Sequence, residues 1–405
     1  MIEKPSTAIV IGAGIAGCST AYALARRGIK VTLVDRNKNI ALEASGNPVG
    51  MLYPKFNTGA SVLSTIAEYG FAYTLSLLKE LPVSQEIYHL CGQIQLANTL
   101  REQDKQSKLL AKKNKENYFQ LLTAKKASKI ANVELSHGGL YIEESGWIKP
   151  KLFCQALIQS NSITKLMATS ALQIKQLEDC WQVIFQKEST LEADVVVIAN
   201  ANDIVQFEQC NSVPITPVRG QVNFFKMNAI SYELKTILCT DHYLSPSVDG
   251  YHSIGTSYAP HDMNAILSKV DTKSNIDAIK TMSTALYNQI DINEVTGRVS
   301  WRSATRDYIP LAGQLIHTNQ LKKEQPRYNH KPADLPWLKG LYLNAGHGSK
   351  GLITAPLCGE LIANLVNQEP LAINPFIAST MNPSRFILRQ MGLKKIAQNL
   401  YDFLD

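Results

Sequence analysis

Three glycines near the amino terminus and one acid downstream have the spacing of a dinucleotide-binding site. Gly12, Gly14 and Gly17 follow an apolar, β-branched run, and Asp35 ends a second such run. In this pattern the first glycine permits a tight turn, the second lets backbone approach a pyrophosphate, and the third lets a helix pack on a strand. The acid accepts hydrogen bonds from a ribose, which disfavours a 2′-phosphate and therefore NADP. On this motif alone, NAD and FAD are both open.

Two further loops could bring backbone close to a flat ring. Ala44–Pro54 is a run of small and polar residues in which Ser45 and Asn47 could reach a phosphate or ring heteroatoms. Gly346–Leu352 interrupts an apolar strand with three glycines before a helix, which makes a second place where an anion or a ring can approach. Two such loops favour a ligand longer than NAD. The candidate cofactor-binding residues are Gly12, Gly14, Gly17, Asp35, Arg36, Ser45, Asn47, Gly50, Met51, Gly346, Gly348, Ser349, Lys350, Gly351 and Leu352.

The elements that must position these loops begin with a βαβ unit. Thr7–Gly12 is predicted as a strand, Cys18–Arg27 as a helix and Lys30–Asp35 as a second strand. Asp194–Asn200 is almost continuously apolar, which is typical of a parallel strand buried on both faces. Alternating segments between residues 218 and 258 predict a separate antiparallel unit. We therefore predict an α/β fold with a Rossmann-like parallel sheet and a discontinuous β-rich domain.

Six separated motifs resemble the FAD-dependent amine and amino-acid oxidase superfamily, which includes D-amino acid oxidase, glycine oxidase and sarcosine oxidase. Within it they are most similar to the oxidase domain of the MnmC family, the bifunctional enzymes that modify the wobble uridine of tRNA. The motifs are Ala44–Pro54, Cys91–Leu96, Gly138–Leu140 with Ser145–Trp147, Pro217–Gln221, Ala304–Pro310 and Gly346–Leu352. The resemblance implies an FAD-binding domain and a substrate domain of the D-amino acid oxidase type. We expect the FAD-binding domain at residues 1–80, 137–213 and 297–405, and the substrate domain at 81–136 and 214–296.

The resemblance also implies a reaction. The enzyme would remove the carboxymethyl group from 5-carboxymethylaminomethyl-(2-thio)uridine at the tRNA wobble position, leaving 5-aminomethyl-(2-thio)uridine and glyoxylate, with O₂ as electron acceptor. Ser303 stands near the position where sarcosine oxidases carry a flavin-linking cysteine, so we expect non-covalent FAD. The methyltransferase domain of the bifunctional enzymes has no counterpart in this sequence. We expect no methyl transfer from this chain, and a separate methyltransferase is an open partner.

Such an oxidation needs a carboxylate clamp, because the C–H bond between the amine and the carboxylate must point at the flavin. The planar guanidinium of an arginine suits this task, and Arg219, Arg302 and Arg306 are candidates. In relatives resembling glycine oxidase the clamp begins an Arg-x-x-Thr segment, which Arg302 matches, and a tyrosine matching Tyr243 assists it. Core packing is the alternative for Tyr243, and an ion pair with Asp307 is the alternative for Arg306.

His347 and Lys350 lie in the loop that is expected to reach the flavin ring. His347 could orient or deprotonate the amine, or it could form a wall of the site. Lys350 could place positive charge near flavin N1–C2=O. No residue stands out as an obligatory base, which is compatible with hydride transfer from a neutral amine. The predicted catalytic residues are therefore Arg302, Tyr243 and His347.

A lysine-rich segment is the candidate contact with tRNA. Residues 101–129 carry eight lysines and an apolar stripe that includes Leu109, Leu121 and Leu122, which predicts an exposed amphipathic helical hairpin. A basic face of this kind can follow a phosphate backbone, and a solvated face is the alternative. The predicted patch comprises Lys105, Lys112, Lys113, Lys125 and Lys126. A second basic group contains Lys322, Lys323, Arg385, Arg389, Lys394 and Lys395.

Composition narrows the class of protein. The 405 residues include 41 Lys+Arg against 34 Asp+Glu, a formal charge of +7, which tolerates a polyanionic partner without requiring one. Seven scattered cysteines without a Cys-x-x-Cys pair predict reduced thiols and no metal site. With no run long enough for a membrane span and no signal-peptide core, we expect a cytoplasmic protein without a membrane partner. A free small amino acid (glycine, sarcosine or a D-amino acid) is the alternative substrate.

Overall fold

The computed structural model describes residues 4–54, 61–82, 86–113 and 119–401. Among these residues, no helix is both long enough and apolar enough to cross a membrane. The helices are α1 Ile15–Ala25, α2 Val62–Glu80, α3 Leu100–Lys113, α4 Ala124–Ala131, α5 Pro150–Leu157, α6 Lys269–Met282, α7 Thr284–Tyr287, α8 Thr318–Glu324, α9 Gly351–Asn367, α10 Pro375–Met381, α11 Arg385–Gln390 and α12 Lys394–Gln398. The strands are β1 Thr7–Ile11, β2 Lys30–Val34, β3 Gly50–Leu52, β4 Tyr88–His89, β5 Gln93–Leu96, β6 Gln120–Leu122, β7 Gly139–Ile142, β8 Gly146–Ile148, β9 Ile163–Leu166, β10 Ala171–Gln176, β11 Trp181–Phe185, β12 Thr190–Ala193, β13 Val195–Ile198, β14 Thr216–Lys226, β15 Ile237–Cys239, β16 Tyr243–Leu244, β17 Tyr251–Gly255, β18 Ala259–Pro260, β19 Thr296–Ala304, β20 Leu311–Ile316 and β21 Trp337–Ala345.

A six-stranded sheet carries the βαβ unit, in the order β20-β21-β13-β1-β2-β9. β1 pairs in parallel with β13 and β2, and β21 and β9 continue the parallel sheet on the two sides. β20 adds an antiparallel edge. The central strands are continuous apolar runs because both faces of the sheet are covered. The Rossmann-like part of the prediction is confirmed.

The side chains of β1 alternate between two hydrophobic cores. Val10 packs into the core formed with α1, α2, α5 and α9. Ile9 and Ile11 pack with Trp181 and Val183, which lie on the antiparallel sheet β10-β11-β12. Successive residues of a strand point to opposite faces, so helices cover one face of the parallel sheet and a three-stranded sheet covers the other.

The predicted β-rich unit is a nine-stranded sheet in the order β18-β14-β17-β16-β15-β5-β7-β6, with β19 also paired to β14. All of its pairs are antiparallel except β5 with β15. Ile276 and Ile279 of α6 pack against Phe225 and Ile254 on one face of this sheet. The antiparallel, β-rich character predicted for residues 218–258 is confirmed. A third sheet has the strand order β3-β8-β4. Its strands occur where the chain passes from one of the larger sheets to the other.

Two strands belong to a different sheet from the one that the sequence assignment implied. β7 and all but the first residue of β19 fall in segments assigned to the FAD-binding domain, yet both pair within the nine-stranded sheet. β19 runs beside β14 from Thr216↔Ala304 to Phe224↔Thr296. Pairing between strands so distant in sequence leaves no local signal. The division into two domains stays a prediction. At β7 and β19 its boundaries separate strands that pair within one sheet.

The lysine-rich segment does not form the predicted helical hairpin. α3 and α4 are present, but β6 lies between them and pairs with β7 at the edge of the nine-stranded sheet. Leu109 and Leu122 are buried as predicted, whereas Leu121 is 44% exposed. Leu121 and Leu122 are successive residues of β6, so their side chains point to opposite faces of the sheet. The apolar residues of the segment recur with a helical period, so the three-residue edge strand β6 was not predicted.

Candidate active site

The carboxyl end of β1 and the start of α1 form a glycine cradle. Gly12 has a φ of +107°, and a Cβ there would lie 2.6 Å from the carbonyl oxygen of Ala199. A Cβ on Gly17 would lie 1.7 Å from the carbonyl oxygen of Gly12, so only glycine lets α1 pack on this turn. α1 begins after Gly14 with no acidic residue in its first turn. The positive end of the helix dipole and its amide N–H groups are therefore placed to bind a pyrophosphate.

Asp35 closes the cradle at the end of β2. One carboxylate oxygen accepts the N–H of Ala13 at 2.7 Å, and the other accepts the N–H of Asn37 at 2.8 Å. A carboxylate oxygen can accept more than one hydrogen bond, so Asp35 is both fixed by backbone and available to a ribose. Arg36 also lines this pocket, but its guanidinium forms an ion pair with Glu43 at 2.6 Å.

The first predicted flavin loop lies between the start of α1 and the second predicted loop. The Oγ of Ser45 accepts the N–H of Ile15 at 3.0 Å, which fixes the loop against α1. A Cβ on Gly50 would lie 2.6 Å from Cδ1 of Leu352, so the two loops touch at a position where only glycine fits. Met51 follows on β3 and lines the same space.

Arg298, which the sequence did not reveal, joins this loop to the nine-stranded sheet. From β19 it donates to Oδ1 of Asn47 at 2.8 Å and to the carbonyl oxygens of Leu42 and Glu43 at 2.6 and 2.5 Å. Burial lowers the pKa of its guanidinium. These partners lie 251 to 256 positions away in the chain. The one usable signal was its position four residues before Arg302 on one strand, which places both on the same face.

Two cavities run from the cradle to the nine-stranded sheet. The first, of about 290 Å³, lies at the ends of β1 and β2, and the second, of about 770 Å³, reaches the larger sheet. Gly14 and Ser45 line both, so the cavities meet at the start of α1. The Oδ1 atom of Asn200, in the first cavity, is buried without a hydrogen-bond partner in the described part of the chain. This shape fits FAD, with its pyrophosphate at the junction. Every candidate cofactor residue except Gly17 lines one of the cavities.

The second predicted loop, residues 346–352, lines the larger cavity along its whole length. Gly346 has a φ of +73°, and a Cβ there would lie 2.8 Å from Cγ2 of Thr305. The N–H of Gly348 donates to the carbonyl oxygen of Ser303 at 2.7 Å. The loop is therefore attached to the end of β19, which brings the cofactor side of the cavity and the strand carrying Arg302 into one rigid arrangement.

His347 is bonded within the protein through both ring nitrogens. Nε2 lies 3.0 Å from Oδ1 of Asn344, and Nδ1 lies 2.9 Å from the hydroxyl of Thr354. The amide nitrogen of Asn344 donates to Ala16 and Thr20, so its oxygen faces the ring and Nε2 carries the proton. Burial lowers the pKa of His347 to about 4, so the ring is neutral at pH 7. This bonding supports a positioning role for His347 rather than proton transfer.

Arg302 points its guanidinium into the larger cavity. It donates to the hydroxyl of Thr256 and, at 3.4 Å, to the carbonyl oxygen of Ser257. Burial lowers its pKa, but an arginine retains its charge at neutral pH. Among the described residues, no carboxylate forms an ion pair with it. A Cβ on Gly220 of β14 would lie 2.5 Å from Nη2 of Arg302, so glycine makes room for this side chain.

Tyr243 and Ser303 complete the wall around Arg302. Tyr243, on β16, lines the same cavity, and burial raises the pKa of its hydroxyl while Arg302 lowers it. The net shift is upward, so the phenol is protonated and can donate a hydrogen bond. The hydroxyl of Ser303 is buried in this cavity without a hydrogen-bond partner among the described residues. Ser303 follows Arg302 directly on β19, so its side chain points to the opposite face of the strand. Arg302 and Tyr243 are therefore the two groups of this wall that can donate to one anion.

The other candidate arginines have structural partners or lie elsewhere. Arg219 is 2% exposed and forms an ion pair with Asp271 at 2.6 Å. Arg306 is exposed and lines neither cavity. Asp307 pairs with Arg385 at 2.9 Å, rather than with its neighbour Arg306. Arg385 itself is 0% exposed, so its place in a basic surface group was wrong: the carboxylate of Asp307 draws it into the core.

The predicted basic patch lies at the opposite edge of the nine-stranded sheet from Arg302. Lys105 on α3 and Lys125 and Lys126 on α4 are exposed beside the edge strand β6. The side chains of Lys112 and Lys113 lie outside what the structure describes. β14, which pairs with the strand of Arg302, is six strands from β6. Arg302 is one strand further away, on β19, and neighbouring strands are spaced by about 4.8 Å, so the separation along the sheet is at most about 34 Å.

Curated relatives match nearly all of this chain. The tRNA 5-methylaminomethyl-2-thiouridine biosynthesis bifunctional protein MnmC of Methylobacillus flagellatus is 36% identical over 403 residues, which are 98% of this chain and 62% of that protein. The protein of the same description from Stutzerimonas stutzeri is 36% identical over 394 residues, 95% of this chain and 59% of that protein. The chain therefore spans about 60% of the length of these relatives.

Solved structures show the same fold at lower identity. Glycine oxidase from Geobacillus kaustophilus aligns with a TM-score of 0.77 at 22% identity, covering 94% of this chain and 98% of that one. L-α-glycerophosphate oxidase from Mycoplasma pneumoniae, solved with FAD bound, aligns with a TM-score of 0.70 at 19% identity, covering 90% and 95%. Residues 7–365 match the family described as FAD dependent oxidoreductase. With the glycine cradle and the elongated cavity, this shows that the chain belongs to the FAD dependent oxidoreductase family and is an oxidoreductase with FAD as its cofactor.

Proposed function

We propose that this chain oxidatively removes the carboxymethyl group from 5-carboxymethylaminomethyl-(2-thio)uridine at the wobble position of tRNA. The products are 5-aminomethyl-(2-thio)uridine and glyoxylate. The relatives that match the chain over 95% or more of its length are described as tRNA 5-methylaminomethyl-2-thiouridine biosynthesis proteins. Because those relatives are longer, the proposal covers oxidation alone. With a tRNA substrate, we propose action in the cytoplasm.

The observation that carries the proposal is the charge of Arg302 inside the larger cavity. Its hydrogen-bond partners among the described residues are a hydroxyl and a carbonyl oxygen, so its positive charge is not neutralised there. Burying a charge without a counterion is costly. A substrate carboxylate would supply that counterion, and Tyr243 can donate a further hydrogen bond from the same wall. The site is therefore suited to an amine that carries a carboxylate on the neighbouring carbon.

The residues of the chain act mainly by orientation. Bound FAD supplies the two-electron acceptor that takes a hydride from the carbon between the amine and the carboxylate. With the carboxylate held by Arg302, rotation of this carbon is restricted, and effective concentration rises accordingly. The amine loses its proton to solvent before oxidation, since His347 has both ring nitrogens bonded to Asn344 and Thr354. The resulting imine adds water and splits into glyoxylate and the primary amine.

We propose that FAD is bound non-covalently and that O₂ is the final electron acceptor. Ser303 bears a hydroxyl at the cavity wall, and a serine there cannot form the thioether that a cysteine would form. With O₂ as acceptor, the two electrons and two protons would give hydrogen peroxide, which would balance the reaction. Lys350 in the second loop lines the same cavity, and we propose that its charge lies near the flavin N1–C2=O region.

The charge of the protein surface favours a nucleotide substrate over a free amino acid. The larger cavity, of about 770 Å³, would hold part of FAD as well as the substrate. The exposed lysines Lys105 on α3 and Lys125 and Lys126 on α4 add positive charge that can attract an RNA backbone. A free glycine or sarcosine would use Arg302 and Tyr243 in the same way, so these two residues do not separate the substrates.

The test is anaerobic reduction of the flavin in the purified holoenzyme. We expect tRNA bearing the carboxymethylaminomethyl wobble base to bleach the flavin at micromolar concentration, with a primary amine appearing on the base. Glycine and sarcosine at the same concentration should leave it oxidised, and tRNA with unmodified uridine at the wobble position is the matched control. Bleaching by the small amines alone would overturn the tRNA proposal and establish a metabolic amine oxidase.

A further inference from the structure

Two tyrosines at the mouth of the larger cavity have no part in the chemistry proposed above. Tyr258 is 53% exposed and Tyr308 is 65% exposed, yet both line the cavity that contains Arg302. Burial and the neighbouring phenol of Tyr308 raise the pKa of Tyr258, and both residues border the same cavity. Large aromatic surfaces left open to solvent beside a binding cavity are characteristic of sites that recognise another molecule.

Tyr308 is held in place by interactions beneath it. Its φ of +58° puts a bulky residue in the left-handed region, where such residues are rare and cluster at functional sites. The turn is fixed from the core: Arg385 donates to Asp307 at 2.9 Å and to the carbonyl oxygen of Ile309 at 2.8 Å. The hydroxyl of Thr305 donates to the same carbonyl at 2.8 Å. The exposed ring is therefore presented on a rigid turn.

Tyr258 is attached directly to the carboxylate clamp. It follows Ser257, whose carbonyl oxygen accepts from Arg302 at 3.4 Å. The hydroxyl of Ser257 accepts the N–H of Gln221 on β14 at 3.0 Å, which holds this loop on the sheet. A substrate whose carboxylate reaches Arg302 thus has the rest of its structure beside Tyr258. The loop of residues 256–258 therefore positions both the guanidinium of Arg302 and the side chain of Tyr258.

We propose that Tyr258 and Tyr308 form a stacking platform for the uracil ring of the substrate while Arg302 holds the carboxylate at the end of its side arm. This inference rests on the proposed function and adds how the base is recognised. Bases of single-stranded RNA loops are commonly splayed out and stacked on aromatic side chains. Stacking is tolerant of ring identity, so the platform selects for a planar ring, and the clamp selects for the carboxylated arm.

The experiment uses two probes that the enzyme cannot oxidise to an imine. In 5-carboxymethoxymethyluridine an ether oxygen replaces the amine, and methoxyacetate is the same arm without the ring. Each is titrated into the FAD-containing enzyme, and the change in flavin absorbance gives the Kd. We expect Tyr258→Ala and Tyr308→Ala each to weaken binding of the nucleoside by about tenfold, while binding of methoxyacetate is unchanged. Tyr258→Phe and Tyr308→Phe keep the ring and should bind like the wild type.

The control variant is Tyr328→Ala, since Tyr328 is 78% exposed and lines neither cavity. Equal losses for the two probes, or no loss for either, would overturn the platform. Unchanged binding of methoxyacetate also shows that the variants are folded and loaded. If modified tRNA fails to bleach the flavin but the ring-dependent loss is found, the reaction is wrong and the platform stands. If tRNA is oxidised but the loss is absent, only the platform is wrong.

Discussion

The two edges of the nine-stranded sheet carry different kinds of polar surface. At one edge, Arg302, Tyr258 and Tyr308 are fixed by bonds to loops and by buried ion pairs beneath them. At the other edge, Lys105 and Lys125 project from α3 and α4 into solvent. A fixed and partly buried group can discriminate one ligand geometry from another, whereas solvated charges act through a field that salt screens.

Under the proposed function, the edge with Arg302 (the clamp edge) would recognise the substrate, and the edge with the lysines (the lysine edge) would attract the RNA. One group at the clamp edge should therefore matter more than several at the lysine edge. The loss of activity caused by removing that one group should also depend on the chemistry of the substrate rather than on ionic strength. The separation of at most about 34 Å along the sheet would let one folded RNA reach both, while a free amino acid would engage only Arg302 and its neighbours.

The largest effect is expected from Arg302→Met. Removing a buried cation that pairs with a substrate carboxylate costs about 2–5 kcal/mol, so kcat/KM for modified tRNA should fall by roughly a thousandfold. FAD content should be unchanged, because the predicted pyrophosphate site lies at the start of α1. Arg306→Met is the matched control, since that arginine is exposed and lines neither cavity. Wild-type turnover in the loaded Arg302 variant would move the clamp elsewhere.

A smaller effect, on the stability of the protein, is expected when the pH falls and His347 titrates. The pKa of His347 is about 4 in the folded protein, against an ordinary value near 6.5. Between these values the unfolded chain binds a proton that the folded chain does not, so stability is complete above about pH 6.5 and falls toward pH 4. The loss is at most about 3 kcal/mol. Urea unfolding at a series of pH values measures it.

His347→Gln keeps a donor for Asn344 and removes the titration. The variant should therefore lose less stability than the wild type between about pH 6.5 and pH 4. The same dependence on pH in both proteins would mean that another group is responsible.

The smallest effect per residue is expected at the lysine edge. Changing Lys105, Lys125 and Lys126 together to glutamate should raise KM for tRNA several-fold and flatten its dependence on salt, with kcat unchanged. Lys79, Lys175 and Lys339 are exposed lysines outside the nine-stranded sheet, and changing them to glutamate alters the net charge equally. If both triple variants behave alike, the lysine edge is a solvated face.

Local chemistry explains which parts of the site could be predicted from the sequence. Gly12, Gly17 and Asp35 are positioned by neighbours within one βαβ unit, so their spacing alone carried the information. Arg302 could be chosen as a candidate because the segment that it begins resembles a known pattern, and its role as a clamp stays a prediction. Arg298 and Arg385 were missed as structural groups, because their partners are carbonyl oxygens and carboxylates brought close only by the tertiary fold.

The same limit applies to the fold. The parallel sheet was predictable because strands buried on both faces are continuous apolar runs. β6 and the pairing of β19 with β14 were not, since an edge strand of three residues and a pairing between distant segments leave almost no periodic signal. The helical periodicity of residues 101–129 correctly predicted α3 and α4, but it did not predict β6, which lies between them.

The cradle at the amino terminus is completed by the far end of the chain. Asn344 on β21 donates to the carbonyl oxygen of Ala16 in α1, across 328 positions of sequence. During translation at about 5–20 residues per second, β1 leaves the ribosome tens of seconds before β21. Contacts so distant in sequence also form slowly, because a long loop must close first. We therefore expect FAD to bind late in biogenesis, after β21 has joined the sheet beside β13.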